Sequence, residues 1–417
     1  MNDSEVECTN SSVPGWRIAR PLLAALSVVV ILAGCAAAPE RELSTERPLN
    51  AYLVDGRDPL DAEQFVPRPE NLHASSPWAG GDENLIRYYE KVRGHALNIL
   101  QLSGGGQNGA FGAGLLKGWR ESGTRPEFDM VTGVSTGALL ATHAFLGTPA
   151  DDAVLEEFFT QITADDIFYK EGALGVVLGG YPSLLNTAPL AALLEKHITG
   201  EVLARVAAEH DKGRRLLVGT TNLDYNRTWA WSLGAIAKQG GPEALERYRK
   251  VLLASSAFPI MFPPVSIDGH LFADGAVRAN ILVLGLSGQH EPGPPLHGAG
   301  NVYVVQNGRL DGPPKPVRES IIALAGTTIG EMMTSSTEGL LTRAYFTTKV
   351  HGYDFHTIEV PADADIGGNP LAFDQEQMQA GFDAGYRLGK DPGSWSDIPP
   401  LLDDLPEWMI DLVREKF

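Results

Sequence analysis

The sequence predicts an α/β fold in which a central, mostly parallel sheet is covered by helices on both faces. Two observations lead to this prediction. From His95 onward, short apolar runs of strand length alternate with longer segments that have the character of helices. The runs are short and mostly apolar, as in strands of a parallel sheet covered on both faces, and glycine-containing turns connect several of them to the helices.

The elements can be placed one after another along the chain. Residues 96–102 form an apolar run that stops at Ser103 and three glycines, which predicts a buried strand. Further strands are predicted at 129–134, 216–221, 271–273 and 302–306. Helices are predicted at 110–121, 138–146, 151–160, 189–197, 201–209, 242–254, 321–334 and 374–388. Thr187 ahead of Pro189 favours a helix start, because a hydroxyl can cap a helix and proline fits its first turn.

The composition excludes several classes of protein. With 43% hydrophobic and 20% charged residues, the 417-residue chain can bury a sizeable core, as one large domain or as two. Its net charge of −19 argues against a nucleic-acid partner and disfavours binding to anionic lipid headgroups. Attachment to a membrane would therefore depend on apolar groups.

The N-terminus supplies such groups. Arg17 and Arg20 precede an uncharged stretch of 14 residues, 21–34, which is too short to span a bilayer but suits a signal peptide. The stretch ends in Leu-Ala-Gly before Cys35, which resembles a bacterial lipobox; an ordinary secretory signal with a chance cysteine is the alternative. We expect Cys35 to be acylated and to anchor the protein in the bacterial cell envelope. Because Ala36 rather than Asp follows, the expected location is the outer membrane, facing the periplasm.

The first motif that could take part in binding or catalysis is a glycine-rich turn between a predicted strand and a predicted helix. Backbone N–H groups at such a turn favour negative charge, which could be a phosphate or the oxyanion of an acyl-transfer intermediate. Three of its glycines also match the dinucleotide-binding fingerprint G-x-G-x-x-G. The turn reads Ser103, Gly104, Gly105, Gly106, Gln107, Asn108 and Gly109.

The second motif is G-x-S-x-G, formed by Gly133, Ser135 and Gly137 with one residue between each pair. It follows a predicted strand and opens a predicted helix, the context of a nucleophile elbow in which flanking glycines permit a strained turn. In a chain with 46 glycines the pattern alone could arise by chance. The third motif, Asp274-Gly275-Ala276, is by itself most often only a turn.

Together, and in this order, the three motifs resemble those of the patatin-like phospholipase family. The resemblance covers roughly residues 95–389, and residues 252–264 add further matches ahead of Asp274. It differs at Asn108, where the family usually has Arg or Lys. An asparagine can still donate hydrogen bonds but brings no charge, which leaves the strength of the activity open.

The resemblance implies a three-layer α/β/α patatin-like fold and a serine acyl hydrolase. Ser135 would attack the ester of a lipid or another acyl-ester substrate, and Asp274 would take its proton without an intervening histidine. The turn at Gly104–Gly109 would form the oxyanion hole, with the amides of Gly105, Gly106 and Gln107 as donors. With the N-terminal signal and the polar segment after it, the expected organisation is a signal peptide at 1–34, a tether at 35–93, the hydrolase domain at 94–390 and a C-terminal extension at 391–417. No cofactor and no metal are expected.

Other interpretations compete with this one. A dinucleotide-binding fold needs an acid at the carboxyl end of the second strand, but Asp129 lies at the beginning of that strand and Ser135 follows its end. The ten histidines are scattered, and His143, two helical turns after Ser135, is expected to be a packing residue. A non-catalytic envelope lipoprotein that uses the same fold for binding or assembly is the main alternative. Residues 172–185 and 257–265 could present acyl chains to the site or belong to the core.

Overall fold

The computed structural model describes residues 41–53 except 43, 45 and 47, then 93–170, 183–283, 297–311, 317, 319 and 321–403. Several sequence predictions fall outside these ranges. They are the signal peptide with Cys35, most of the predicted tether, most of the 172–185 segment and the last residues of the C-terminal extension.

A nine-stranded mixed sheet forms the centre of the described residues. Its strands are β1 (Ala51–Leu53), β2 (Asn98–Leu102), β3 (Met130–Val134), β6 (Arg215–Asn222), β7 (Arg227–Ser232), β8 (Val265–Ile267), β9 (His270–Asp274), β10 (Asn301–Gln306) and β11 (Asp354–Glu359). Their order is β1-β7-β6-β3-β2-β10-β11, with β9 beside the end of β6 and β8 beside β9. The five strands from β6 to β11 in this order run parallel. β4 (Tyr169–Lys170) and β5 (Leu185–Asn186) form a separate antiparallel pair.

Helices cover both faces of the sheet. They are α1 (Gly109–Glu121), α2 (Thr136–Leu146), α3 (Pro149–Thr160), α4 (Ala164–Ile167), α5 (Ala188–His197), α6 (Gly200–Asp211), α7 (Leu233–Gln239), α8 (Gly241–Ser255), α9 (Ile321–Val350), α10 (Gln375–Gly389) and α11 (Pro400–Asp403). Short 3₁₀ turns lie at Gly106–Asn108, Gly275–Val277 and Pro392–Ser394. The predicted three-layer α/β/α fold with a mostly parallel sheet is confirmed.

The sheet separates two apolar cores. The larger core contains residues of α1, α2, α8 and α10, and the smaller one contains residues of α9 and of the segment after β9. Neighbouring residues of a strand point to opposite cores, as Leu217 and Val218 of β6 do. Burial on both faces explains why the central strands carry apolar residues at consecutive positions rather than only at alternate ones.

Helices α1 and α10 approach each other closely because glycines lie at their contact. A β-carbon on Gly385 would lie 2.0 Å from the carbonyl oxygen of Phe111, and one on Gly114 would lie 2.0 Å from that of Phe382. No real side chain fits at such distances, so the contact depends on glycine. It holds α10 against the helix that follows the glycine-rich turn.

Some elements differ from the sequence predictions. The helix predicted at 321–334 continues to Val350, and β7 with the following α7 was not predicted. The turn before β7 has no glycine; Asn226 adopts its positive φ of 58°, so the usual Gly-containing hairpin signal is missing. Thr187 precedes α5 without capping it, and Asn186 Oδ1 instead accepts a hydrogen bond of 2.8 Å from the Ala188 amide.

The described residues between 41 and 53 lie within the predicted tether, but they pack onto the sheet. β1 pairs with β7, and the Arg41 guanidinium binds Asp224 at 2.7 Å and the Gly269 carbonyl at 2.7 Å. The predicted C-terminal extension is also attached, since the rings of Trp395 and Trp119 lie 4.7 Å apart. The folded unit is therefore larger than the predicted range 94–390. Among the described residues, no helix combines the length and apolar composition needed to cross a bilayer.

Candidate active site

The sheet brings Ser135 and Asp274 together through β6, which extends beyond the end of β3. The last residue of β3, Val134, pairs with Gly219 of β6, and Asp274 of β9 pairs with the next residue, Thr220. β9 therefore occupies the place beside β6 that β3 leaves where Ser135 turns away. Across 139 residues of sequence, Ser135 Oγ donates a hydrogen bond of 2.6 Å to Asp274 Oδ2.

Ser135 lies in a strained turn between β3 and α2. Its φ of 55° and ψ of −125° are rarely adopted by residues other than glycine. Gly133 and Gly137 allow this turn because neither position has room for a side chain. A β-carbon on Gly133 would lie 2.3 Å from the Gly137 carbonyl oxygen, and one on Gly137 would lie 2.3 Å from that of Leu102.

A hydroxyl from α8 supports the same turn. The Ser135 amide donates to Ser255 Oγ at 2.9 Å, and Ser255 Oγ donates to the Gly219 carbonyl at 2.7 Å. Ser255 thus connects the elbow to β6. The sequence places Ser255 in a segment that resembles the family but gives no sign of this contact.

The Asp274 carboxyl is buried, and each of its oxygens accepts one hydrogen bond. Besides Ser135, it accepts a hydrogen bond of 2.8 Å from the Ala276 amide at Oδ1, and its own amide donates to the Ala257 carbonyl at 2.9 Å. Burial raises the pKa of Asp274 to about 7, although the hydrogen bonds from Ser135 and Ala276 act in the opposite direction. At neutral pH the carboxyl can therefore gain and lose a proton readily.

The glycine-rich turn lies directly beside Ser135. A β-carbon on Gly104 would be 3.0 Å from Ser135 Cβ, and one on Gly105 would be 1.7 Å from the Asn307 carbonyl oxygen. Gly106 has a positive φ of 57°, and a β-carbon there would be 2.1 Å from the Pro370 carbonyl oxygen. The turn needs three consecutive glycines because the chain packs against a different neighbour at each of them.

Only some amides of this turn are available to a substrate. Gly104 donates to the Asn280 carbonyl, Asn108 to the Gly105 carbonyl, and Gly109 to carbonyls within the turn. Among the described residues, the amides of Gly105 and Gly106 have no acceptor. They are the two groups in the turn that can still bind an oxyanion.

The Gln107 amide differs from the sequence expectation. It donates to the Pro370 carbonyl at 2.8 Å, while the side-chain amide binds the Ile366 carbonyl at 3.1 Å and Gln377 Oε1 at 2.8 Å. Gln107 therefore fastens the turn to the segment before α10 and to α10 itself. At Asn108 the side chain forms no cap on α1.

Two asparagines that the sequence did not single out brace the turn. The backbone amide of Asn307, just after β10, donates to Ser103 Oγ at 2.8 Å, and Asn307 Nδ2 donates to the Ser103 carbonyl at 2.8 Å. Asn280, six residues after Asp274, binds Thr337 of α9 through Nδ2 at 3.1 Å. The only signal for either in the sequence is the position of Asn280 shortly after the Asp-Gly-Ala motif.

The two candidate acyl-presenting segments meet near Asp274. The Leu184 amide donates to the Ile260 carbonyl at 2.9 Å, and both side chains are well exposed, at 45% and 63%. Ala257 and Phe262, on either side of Ile260, are buried. The 257–265 segment thus belongs to the core at these two positions and is open to solvent between them.

Other residues considered from the sequence lie away from this site. His143 Nδ1 is 3.0 Å from Asp151 Oδ1, in a buried pair that Arg205 also joins, so it is a packing residue. Asp129 lies just before β3, at the opposite edge of the sheet, where it binds Arg93 at 2.6 Å and the Asn98 amide at 2.8 Å. It cannot hold a ribose at the glycine-rich turn.

Comparison with known proteins agrees with this geometry. The described residues form an α/β/α fold with a glycine-rich turn beside a serine at a strand-turn-helix junction. Residues 100–286 match the family model of the patatin-like phospholipases, and this range contains the turn, Ser135 and Asp274. Residues 100–286 therefore form a patatin-like phospholipase domain, which supports a lipid acyl hydrolase kind of enzyme.

Among solved structures, the chain is similar to VipD from Legionella pneumophila. The two share 14% sequence identity with a TM-score of 0.36, over 75% of this chain and 69% of VipD. A search of curated proteins gives no significant match.

Proposed function

We propose that the protein is a serine acyl hydrolase that cleaves lipid acyl esters with a dyad of Ser135 and Asp274. The single observation that carries the proposal is the 2.6 Å hydrogen bond from Ser135 Oγ to the buried Asp274 carboxyl. It joins the residue at a strained elbow to a group that can accept its proton. The adjacent amides of Gly105 and Gly106 supply donors for an oxyanion.

The reaction would proceed in two halves. Ser135 Oγ attacks the ester carbonyl while Asp274 takes its proton, and the negative oxygen is bound by the Gly105 and Gly106 amides. The intermediate collapses when Asp274 returns the proton to the leaving alcohol, which leaves the acyl group on Ser135. Water then attacks this acyl-enzyme, releases the acid and restores both side chains.

The environment of Asp274 makes its carboxylate a stronger base than an exposed aspartate. An exposed aspartate has a pKa of about 3.9 and is a weak base at neutral pH. Burial raises the pKa of Asp274 to about 7, close to the pH at which general bases work well. No histidine among the described residues bonds to its carboxyl, and His270, four residues earlier, binds the Glu46 carbonyl instead.

A fluorophosphonate probe tests the nucleophile. We expect the probe to attach to Ser135 alone, because its phosphorus mimics the tetrahedral intermediate. Intact-protein mass spectrometry of wild type and Ser135→Ala checks this. Labelling that persists in Ser135→Ala, or folded wild type that takes up no probe and cleaves no acyl ester, would favour the non-catalytic lipoprotein instead.

Purified variants distinguish the dyad from a Ser-His-Asp triad. Asp274→Asn keeps the shape of the side chain but cannot accept a proton, so ester hydrolysis should nearly disappear, chiefly through kcat. No single His→Ala variant should lose activity to a similar extent. A folded, inactive histidine variant beside an active Asp274→Asn would overturn the dyad.

We further propose that Cys35 carries a lipid anchor that holds the protein in the outer membrane, facing the periplasm. The support is the lipobox-like sequence, and Cys35 lies outside the described residues. Acylation at this position would attach the protein stably to a bilayer. Cell fractionation of Cys35→Ser should show a soluble or unprocessed protein, and unchanged fractionation and electrophoretic migration would reject the anchor.

A further inference from the structure

Asn280 presents a buried oxygen that neither the fold nor the proposed dyad uses. The residue is only 6% exposed, and Oδ1 has no hydrogen-bond partner among the described residues. A buried carbonyl oxygen without a partner is costly, because it has lost its hydrogen bonds to water. Such a group calls for a ligand that donates a hydrogen bond.

The hydrogen bonds of α9 determine which end of the Asn280 amide faces the site. The Thr337 hydroxyl donates its proton to the Met333 carbonyl at 2.7 Å. Its oxygen can therefore only accept from Asn280, which requires Nδ2 on that side, at 3.1 Å. Oδ1 is consequently the atom that points away from α9.

Oδ1 and the nucleophile face the same point in space. A β-carbon built on Gly104 would lie 2.5 Å from Asn280 Oδ1 and 3.6 Å from Ser135 Oγ. Both oxygens therefore lie on the side of the turn to which a side chain at position 104 would point. The Asn280 carbonyl also receives the Gly104 amide at 3.3 Å, which keeps the asparagine beside the turn.

We propose that Asn280 Oδ1 positions the water that hydrolyses the acyl-enzyme, an inference that rests on the proposed function of Ser135 and Asp274. The water oxygen forms a bond to the acyl carbon, and one water proton passes to Asp274. The other water hydrogen is held by Asn280 Oδ1. The bond from the acyl carbon to Ser135 Oγ then breaks, Oγ takes the proton from Asp274, and the free acid leaves.

Hydrogen-bond chemistry favours water over the ester as the partner of this oxygen. An ester group has only acceptors, so it cannot satisfy Oδ1. Water has two hydrogens, and the site offers two acceptors, the Asp274 carboxylate and Asn280 Oδ1. Two fixed acceptors would aim the lone pair of the water at the acyl carbon, which makes Asn280 a positioning residue.

Methanol provides the discriminating measurement, since it has a single O–H and needs only Asp274 as acceptor. Wild type and variants would cleave p-nitrophenyl octanoate in a fixed mixture of water and methanol. The ratio of methyl octanoate to octanoic acid then reports how the acyl-enzyme chooses between the two nucleophiles. Three variants are matched: Asn280→Leu and Asn280→Asp both lose the donor to Thr337, but only Asn280→Leu loses the acceptor. Thr337→Val removes the partner that orients the Asn280 amide, so it tests whether Oδ1 must face the site.

We expect Asn280→Leu to raise the ester-to-acid ratio about tenfold, the scale of one lost hydrogen bond. Asn280→Asp should keep the ratio of wild type because a carboxylate presents an acceptor in either orientation, whereas Thr337→Val should raise the ratio, by no more than Asn280→Leu does. Fluorophosphonate labelling shows whether each variant still has a reactive Ser135, and Asn280→Ala replaces Asn280→Leu if the latter fails to label.

Several results would overturn this role. They are an unchanged ratio in the variant without an acceptor, an equal rise in Asn280→Asp, or a higher KM with an unchanged ratio. Wild type that cleaves no ester and takes up no probe would instead reject the proposed function, and the role of Asn280 with it.

Discussion

At the scale of single residues, Asp274 lies in a buried environment that disfavours the charged carboxylate. Burial raises its pKa to about 7, and only the ionised form can accept the proton of Ser135. We therefore expect kcat/KM for a soluble ester to rise with pH, with a midpoint near 7, and to level off above it. A pH–rate profile checks this. A midpoint near 4, as for an exposed aspartate, would show that burial does not act on Asp274 in this way.

The raised pKa of Asp274 also predicts how the stability of the fold depends on pH. Unfolded Asp274 ionises near pH 4 and folded Asp274 near pH 7, so between these values the unfolded state binds fewer protons and stability falls as pH rises. The Asp274→Asn variant cannot ionise at this position, so its stability does not fall with pH in this way. Its stability relative to wild type should increase by about 1.4 kcal/mol per pH unit from pH 4 to 7 and then stay constant. Urea unfolding of both proteins across this range measures the difference, and a constant difference would contradict the shift.

Two neighbouring serines form a matched pair for testing the support of the elbow. Ser255→Ala leaves the Ser135 amide and the Gly219 carbonyl without their shared partner, which should cost about 1–3 kcal/mol of stability and lower kcat roughly tenfold. Ser256 is also buried, but its hydroxyl has no hydrogen-bond partner among the described residues. Ser256→Ala removes a buried, unsatisfied hydroxyl, so it should be neutral or stabilise by up to about 1–3 kcal/mol. Equal effects of the two substitutions on unfolding and on ester hydrolysis would argue against a special role for Ser255.

At the scale of the elements, the contact between α1 and α10 depends on glycine. Gly385→Ala would place a β-carbon 2.0 Å from the Phe111 carbonyl oxygen, so the helices must separate, at a cost of about 1–3 kcal/mol. Gly330 in α9 is the control, because a β-carbon there meets nothing within 4 Å. Gly330→Ala should be neutral or stabilise by up to about 1 kcal/mol, as expected for an open helical position. Thermal unfolding of both variants gives the comparison, and a stable Gly385→Ala would show that the helices can move apart freely.

The sequence predicted the elements whose signals are local. β2, β3 and β6 are apolar runs bounded by turns, and the helices that follow β2 and β3 begin at glycine-containing motifs, so all were placed within a few residues of their observed ends. β7 was missed because its turn carries Asn226 instead of glycine. The end of α9 was also missed, since no proline or capping residue marks a stop at 334.

Long-range contacts could not be predicted in the same way. The motifs identified Ser135 and Asp274, but their contact depends on the register of β6 with both β3 and β9. Likewise, Asn280 faces Ser135 only because the 3₁₀ turn after Asp274 and the position of α9 bring it there. The Gln107 amide donates to the carbonyl of Pro370, which lies more than 260 residues further along the chain. Sequence spacing carries no information about any of these contacts.

At the scale of the whole molecule, the N-terminal segment closes one edge of the sheet. β1 pairs with the edge of β7 that would otherwise be open. Residues next to β1 contact the loops at the end of β6, the strand that also borders the candidate site. The Tyr225 hydroxyl donates to the Ser44 carbonyl at 2.7 Å, and the Leu49 amide donates to Asp268 at 3.1 Å. If Cys35 carries a lipid, only residues 36–40 separate the anchor from Arg41, so the folded unit would be held within about 20 Å of the bilayer.

Truncation tests whether this segment is part of the fold or a tether. A protein that starts at Arg41 keeps β1 and the contacts of Arg41 with Asp224 and Gly269, whereas one that starts at Val54 loses them all. The second protein should lose about 2–4 kcal/mol of stability, since it gives up buried Ala51 and several long-range hydrogen bonds. It should also aggregate more readily, because the backbone edge of β7 becomes free to pair with another chain. Chemical unfolding and light scattering of the two purified proteins measure both effects. Equal midpoints and equal solubility would show that residues 41–53 contribute nothing to the fold, as a simple tether would.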